Sequence, residues 1–499
     1  MYFYANKIPI PMSNRFFTIF QFIVLLITAG CSNEDKHSRS AISKTPNIIY
    51  ILADDLGYGD LGIYGQERFS TPHIDSMARG GMIFTNHYAG STVCAPSRST
   101  LMTGMHTGHT PIRGNKEIMP EGQWPLPDSV ITLPEILKSK GYVTGAFGKW
   151  GLGYPGSEGD PVNQGFDEFF GYNCQRQGHH YYPYHLWHNY EKWLLEANTS
   201  GGNVTYAPDL IHEKALEFIR RNRDTSFFLY YPSIIPHAEL FAPEEYMQKF
   251  RGKFDHEIAF SGTDYGDEHY RMGPYGSQPE GHAAFAAMIS LLDDQVGEIL
   301  TLLKTLGISE NTLVIFSSDN GPHREGGADP DYFDSNSIFR GYKRDLYEGG
   351  IRVPMIAFMP GKIRAGSSTD HVSAFWDLFP TLTDLLNIGI PANIDGISFL
   401  PTLFNEEGQE THEYLYWEFH EKGGRIAIRK NNWKGVRYNV LTDSDSRFEV
   451  YDLSKDPSES NDLAEEYPEI VEELVQLMKD ARTNSEIFSF SSETFLDSK

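Results

Sequence analysis

The apolar and polar positions of this chain fall into short unbroken apolar runs separated by mixed segments. Residues 47–52, Asn-Ile-Ile-Tyr-Ile-Leu, show no alternation. That is the pattern of a strand covered on both faces, because a strand with one wet face alternates with period two. Similar runs stand at 142–147, 227–231, 313–316 and 355–358, with helical segments between them at 132–140, 209–221 and 283–306. Strands alternating with helices predict an α/β fold with a doubly wound sheet. From about Glu413 the texture changes, which puts a boundary near residue 405. Residues 414–419, 425–429, 433–438 and 448–453 read as short antiparallel strands, and 462–479 as a closing amphipathic helix. The expected division is one large domain over 46–405 and a small C-terminal α+β subdomain over 406–499.

The first residues follow another pattern. Lys7 and Arg15 precede an apolar run over 16–27, which ends in Ala29-Gly30 and then Cys31. This is the layout of an export signal, and the run is too short to span a membrane. Small residues directly before a cysteine resemble a bacterial lipoprotein processing site, with residues 1–31 as signal and Cys31 lipidated. Thr28 departs from that pattern, and ordinary secretion with nearby cleavage is the alternative. The polar stretch 32–45 reads as a tether. The expectation is an exported protein, anchored at the outer membrane or cell surface, otherwise periplasmic or secreted. With only three cysteines in the chain, Cys174 is left over beside Cys31 and Cys94, so no disulfide framework is expected.

The formal net charge of -25 argues against nucleic acid as a partner, since phosphate binding needs a basic footprint. It does not exclude an anionic substrate, because a local cluster of Arg, Lys and a metal can dominate one pocket. In doubly wound sheets the ligand crevice lies beyond the carboxyl ends of the strands. Asp54-Asp55, Lys149, His237 and Asp319-Asn320 all follow the ends of predicted strands. Asp54, Asp55, Asp319 and Asn320 make an all-oxygen set that suits a hard cation, Ca²⁺ or Mg²⁺; caps or solvated turns are the alternative. In Cys94-Ala95-Pro96-Ser97-Arg98 the proline suits the first turn of a helix, which puts the thiol at a helix N-terminus. Cys94 is then either a thiolate nucleophile or a small buried hydrophobe. Arg98 lies one turn further along the same face.

The sequence Cys-x-Pro-Ser-Arg at 94–98, followed by Thr103-Gly104, resembles the signature of the type I (formylglycine-dependent) sulfatases, arylsulfatase-like enzymes, and the resemblance extends over about residues 45–460. It implies an alkaline-phosphatase-like sandwich with a central mixed, mostly parallel sheet. It also implies that a maturation enzyme oxidises Cys94 to formylglycine, an aldehyde whose hydrate attacks the sulfate ester. By the same resemblance Asp54, Asp55, Asp319 and Asn320 bind Ca²⁺ together with position 94, and Arg98 holds the formylglycine. Lys149 and Lys343 contact the transferring sulfate, and His237 protonates the leaving oxygen. The stretch 348–354 reads as structural turn chemistry.

One position departs from the family. Many relatives carry a histidine two residues after the lysine matching Lys149, where this chain has Gly151. Gln175-Arg176-Gln177-Gly178-His179-His180, with His185 and His188 beyond, is the stretch in which a substitute is sought. Together with Tyr181, Tyr182, Tyr184 and Trp187, it could equally form a carbohydrate-binding wall. Arg176, His179 and His180 are thus candidate substrate-binding residues. The function implied is hydrolysis of sulfate esters on a sulfated polysaccharide or its oligosaccharides, algal material such as ulvan being one source. The rivals are a phosphate or phosphonate ester hydrolase of the same superfamily, and a non-catalytic glycan-binding lipoprotein.

Overall fold

A computed structural model describes residues 45–199, 202–267, 273–442 and 446–490. The export signal, the tether up to residue 44 and the lipidation of Cys31 lie outside these residues.

Ten strands form the central sheet: β1 (Asn47–Ala53), β2 (Met82–Phe84), β3 (Val143–Lys149), β4 (Glu168–Tyr172), β5 (His185–His188), β6 (Glu191–Leu194), β7 (Phe227–Pro232), β8 (Thr312–Ser318), β9 (Met355–Phe358) and β10 (Ser367–Thr369). Their spatial order is β10-β2-β9-β8-β1-β7-β3-β4-β5-β6. The contiguous run β8-β1-β7-β3-β4 is parallel throughout. β9 runs antiparallel to β8 and β2, and β5 and β6 close the other edge as an antiparallel hairpin. The architecture is therefore the mixed, mostly parallel sheet expected. The apolar run at 355–358 reads like its neighbours in sequence because burial on both faces, not strand direction, sets that pattern.

Helices cover both faces: α1 (Pro72–Gly80), α2 (Cys94–Thr103), α3 (Leu133–Lys138), α4 (Ala207–Asn222), α5 (Gly281–Thr305) and α6 (Leu378–Leu385). In β1, Ile49 and Ile51 pack into one core with Ile74 of α1, Ile211 of α4 and Leu292 of α5. Ile48, Tyr50 and Leu52 pack into the opposite core with Leu101 of α2, Leu137 of α3 and Leu382 of α6. Each such aliphatic side chain taken fully out of water contributes roughly 1.5–3 kcal/mol.

The C-terminal strands β11 (Leu415–Phe419), β12 (Arg425–Lys430), β13 (Trp433–Tyr438) and β14 (Phe448–Asp452) form an antiparallel sheet, as the sequence pattern predicts. One face carries α7 (Pro468–Asp480), whose Leu474 and Met478 pack on Tyr416, Ile428 and Val450. α7 starts later than the predicted 462. Asp462 Oδ1 accepts from the main-chain N–H of Val450 at 3.0 Å, which holds that stretch against the sheet. Pro468 then opens the helix where a missing N–H costs nothing. The other face of the sheet packs on Tyr88, Val93 and Trp376, and Trp417 Nε1–H donates to the Ala89 carbonyl at 2.9 Å. The C-terminal sheet thereby braces the chain that leads into α2.

Candidate active site

The parallel strands β1, β3, β7 and β8 deliver their carboxyl ends to one edge of the sheet. Asp54 and Asp55 leave β1, Lys149 ends β3, His237 lies in the loop after β7, and Asp319 and Asn320 follow β8. α2 brings in Cys94 as its first residue, with Val93 extended at its N-cap. Asp54, Asp55, Arg98, Lys149, Asp319 and Asn320 are all fully buried, and Cys94 and His237 nearly so. An ionic cluster this dry persists only where its charges are paired.

The pairing is dense. The Cys94 thiol donates to Asp54 Oδ1 at 3.2 Å, and Lys149 Nζ lies 2.7 Å from Asp54 Oδ2 and 3.6 Å from Cys94 Sγ. Arg98 donates through Nε and Nη2 to Asp319 Oδ2 at 3.1 and 2.8 Å, and to the Lys149 carbonyl through Nη1. Its Nη2 also lies 3.3 Å from Asp54 Oδ2. Lys343 Nζ donates to Asp55 Oδ2 at 2.7 Å and to His237 Nε2 at 3.1 Å. The second ring nitrogen of His237, Nδ1, is turned to the Ala238 carbonyl. That assignment makes Nδ1 the protonated nitrogen and Nε2 the acceptor from Lys343.

The electrostatics follow from burial and from these pairs. Burial pushes the Asp319 carboxyl up, as does the Asp54 charge beside it, to about 7 despite Arg98. For Asp54 burial works in the same direction, but the charges of Lys149, Arg98 and Lys343 outweigh it and hold the group well below the carboxylate range. Burial and Asp54 push the Cys94 thiol well up, which does not suit a resting thiolate. Burial, with Lys343 and Lys149 nearby, holds His237 well down as a neutral ring. Asn320 supplies a test for a cation. Its Nδ2 donates to Asp55 Oδ1 at 2.7 Å, while its buried Oδ1 has no partner among the described residues. An orphaned acceptor beside three buried carboxylates, with Asp54, Asp55, Cys94 and His237 ligand atoms all within 4.8 Å of one another, fits a hard oxygen-seeking cation.

The stretch 175–188 divides. His179 belongs to the site: its ring stacks on His237 at 4.7 Å and 11°, and burial, with the Lys149 and Lys343 charges nearby, holds it well below the ordinary histidine value. Arg176 turns away to an ion pair with Glu117. His180 is buried with Nδ1 3.6 Å from Glu239 Oε2. His185 faces Glu121 and His188 lies near Glu168. Tyr181 is fully buried, its hydroxyl donating to the carbonyls of Ile234 and His237, so it supports the His237 loop and offers no ring to a sugar. Trp187 is buried as well, with Nε1–H on Glu121 at 2.6 Å. Glu348 is structural, as expected, with Tyr88, Arg352 and Lys434 around its buried carboxylate.

Sequence reasoning missed Glu325, which lies 3.6 Å from Lys343 Nζ and also pairs with Arg344. It also missed His323, stacked 5.8 Å from His237, with Nε2 3.1 Å from the Pro236 carbonyl. Both lie a few residues past Asp319-Asn320, and proximity to that pair was the one signal available.

Comparison with known proteins gives a consistent result. The family described as Sulfatase matches residues 46–388, and that described as N-sulphoglucosamine sulphohydrolase, C-terminal, matches 339–484. N-acetylgalactosamine-6-sulfatase of Rattus norvegicus is 34% identical over 394 residues, 72% of this chain and 66% of that enzyme. N-acetylgalactosamine-6-O-sulfatase of Bacteroides thetaiotaomicron is 29% identical, over 92% of this chain and 97% of its own length. Among solved structures, Ps i-CgsB in complex with k-i-k-neocarrahexaose superposes with a TM-score of 0.74 at 26% identity, covering 90% of this chain and 96% of that one.

Proposed function

The chain belongs to the sulfatase family, and on that footing we propose that it hydrolyses sulfate esters on a sulfated glycan through a formylglycine made from Cys94, with Ca²⁺ bound by Asp54, Asp55, Asp319 and Asn320. The observation that carries this is the placement of Cys94 Sγ between a carboxylate at 3.2 Å and an ammonium at 3.6 Å, within a cluster that also holds Arg98 and Lys343. Oxidised to the aldehyde by a maturation enzyme and hydrated, position 94 would supply the attacking hydroxyl, and a cation held by Asp54, Asp55, Asp319 and Asn320 would offset charge on the sulfate oxygens.

The chain's own residues do the rest. Lys149 and Lys343 are ammonium groups fixed in a dry site, where they stabilise charge developing on the sulfuryl oxygens without reorganising. Arg98 is locked by Asp319 and Asp54 and so holds the carboxylates in place beside position 94. Lys343 Nζ donates to His237 Nε2 across 3.1 Å, and a proton passed along that contact would serve the leaving alcohol oxygen. The names of the relatives support N-acetylgalactosamine 6-sulfate as the first substrate to test. Ulvan is supported only by the pattern of an exported polysaccharide degrader. Export and a lipid anchor at Cys31 belong to the same proposal.

The test is peptide mass on the exported protein, paired with sulfate release from N-acetylgalactosamine 6-sulfate, carrageenan oligosaccharides and ulvan. A mass deficit at the Cys94 peptide together with released sulfate is the expected result. Full conversion of Cys94 with turnover of phosphate or phosphonate esters alone would assign the chain to the rival chemistry.

A further inference from the structure

The loop after β4 carries a side chain whose polar atoms have no hydrogen-bond partner among the described residues. Residues 173–179 cross over Lys149: a Cβ added at Gly178 would stand 3.0 Å from Lys149 Cδ. The loop then places His179 on the ring of His237. Within it Gln175 is 5% exposed and is pinned through its main-chain N–H, which donates to Gln123 Oε1 at 2.9 Å.

The carboxamide of Gln175 lies against Gly151, two residues beyond Lys149. A Cβ built on Gly151 would fall 1.8 Å from Gln175 Nε2 and 2.6 Å from its Cδ. Gly151 also has φ +79°, a conformation that favours glycine. The two positions are complementary: residue 151 has no side chain, and Gln175 fills the space. Neither Nε2 nor Oε1 of Gln175 has a hydrogen-bond partner among the described residues, and His179 Nδ1 has none either. Buried amides left unpaired forfeit their solvation, so one held against Gly151, two residues beyond Lys149, in the loop that also carries His179, points to a partner arriving from outside.

The available atoms define that partner's chemistry. A carboxamide N–H suits an anionic oxygen, and its carbonyl suits a hydroxyl. A sulfated sugar carries both on neighbouring atoms.

Resting on the sulfatase reading above, we propose that Gln175 is a substrate-positioning residue, its Nε2–H donating to a sulfuryl oxygen and its Oε1 accepting from a hydroxyl of the bound sugar. The loop 173–179 thereby sets orientation at the ester, while Lys149, Lys343 and His237 supply charge and proton.

The experiment is calorimetric titration of inorganic sulfate into the full-length, Ca²⁺-loaded protein and its variants, with thermal melting to confirm folding. Gln175→Ala is expected to weaken sulfate binding at least tenfold, and Arg176→Ala, whose side chain pairs with Glu117, to leave it within twofold. Gln175→Glu keeps the shape of the side chain. It is expected to bind sulfate poorly at pH 8 and to recover toward pH 5, as the carboxyl gains a proton to donate, a pH dependence that a packing role would not create. In steady-state assays on a sulfated sugar, both variants should raise KM more than they lower kcat. If Gln175→Ala binds sulfate like the parent while Lys149→Ala loses it, the assignment of Gln175 is wrong and the sulfatase reading stands. If the parent itself binds no sulfate, the assignment of Gln175 falls, while sulfate release from a sugar ester still decides the sulfatase reading.

Discussion

Asn320 marks the candidate cation site more plainly than the carboxylates do, because its Oδ1 is buried with nothing among the described residues to accept from. Replacing Asn320 by Ala is expected to weaken Ca²⁺ roughly 10–100-fold, the range for loss of a group that holds or supports a metal. The readout is the Ca²⁺ dependence of the melting temperature. In the parent, chelation should remove about 2.7 kcal/mol of stability relative to Ca²⁺ at a hundred times its Kd, and in the variant far less at the same concentration. His237 admits a sharper test. If the His237–Lys343 pair protonates the leaving oxygen, His237→Gln should lower kcat by roughly 10²–10⁴ on a sugar sulfate. It should cost much less on 4-nitrophenyl sulfate, whose leaving group needs no proton; equal losses on both would remove the acid role. At this scale the sequence was legible where a residue type has one plausible chemistry. Asp54, Asp55, Lys149, His237, Lys343, Asp319 and Asn320 do converge. It was illegible along 175–188, where alternate residues of one loop face the site, a buried carboxylate and solvent. Nothing in Arg176 or His180 distinguishes them from His179 until the backbone path is known.

β1 shows how the elements hold that cluster. All seven of its residues are buried, and its register against β7 and β8 pairs Ile51 with Tyr231 on one side and Phe316 on the other. Ile51→Ala would open a cavity in the core under α4 and α5, three residues before Asp54, and should cost about 2–5 kcal/mol. The measurement is chemical denaturation of parent and variant with Ca²⁺ present. The variant should also lose Ca²⁺ affinity, since Asp54 and Asp55 are carried on the end of that strand; unchanged affinity would show that the ligands are positioned independently of it. The strands and long helices were legible because burial on two faces and helical spacing leave separate marks on the sequence. The short edge elements were not. The hairpin β5-β6 has only four residues per strand, with Glu191–Leu194 exposed throughout, so no periodicity accumulates. What places the hairpin is the pairing of β5 with β4, a contact the local sequence pattern does not encode.

Across the whole molecule, the change of texture near residue 405 separates two sheets, but buried ties cross it. Glu418 on β11 is fully buried and accepts from Arg113 at 3.1 Å, Arg482 at 2.9 Å and the Tyr416 hydroxyl at 2.9 Å, while its own N–H donates to Thr107 Oγ1 at 2.8 Å. One carboxylate therefore joins the chain beyond α2, the C-terminal sheet and the segment after α7. Burial alone would raise Glu418, but the hydrogen bond from His420 and the charges of Arg113, His420 and Arg482 hold it well below the carboxylate range. Because its folded value is depressed, its contribution is fully present above the unfolded glutamate value of about 4.3 and is lost as pH falls toward the folded one. Glu418→Gln leaves two buried guanidinium groups without their anion, a loss of about 3–5 kcal/mol at neutral pH. The stability difference between parent and variant should stay constant from pH 7 to about 5 and shrink steadily below about 4.3, where the parent loses what the variant never had. Urea titrations of both proteins at pH 7, 5, 4 and 3.5 would show this. A difference that holds its full size down to pH 3.5 would mean that Glu418 is not the carboxylate tying the C-terminal sheet to the core.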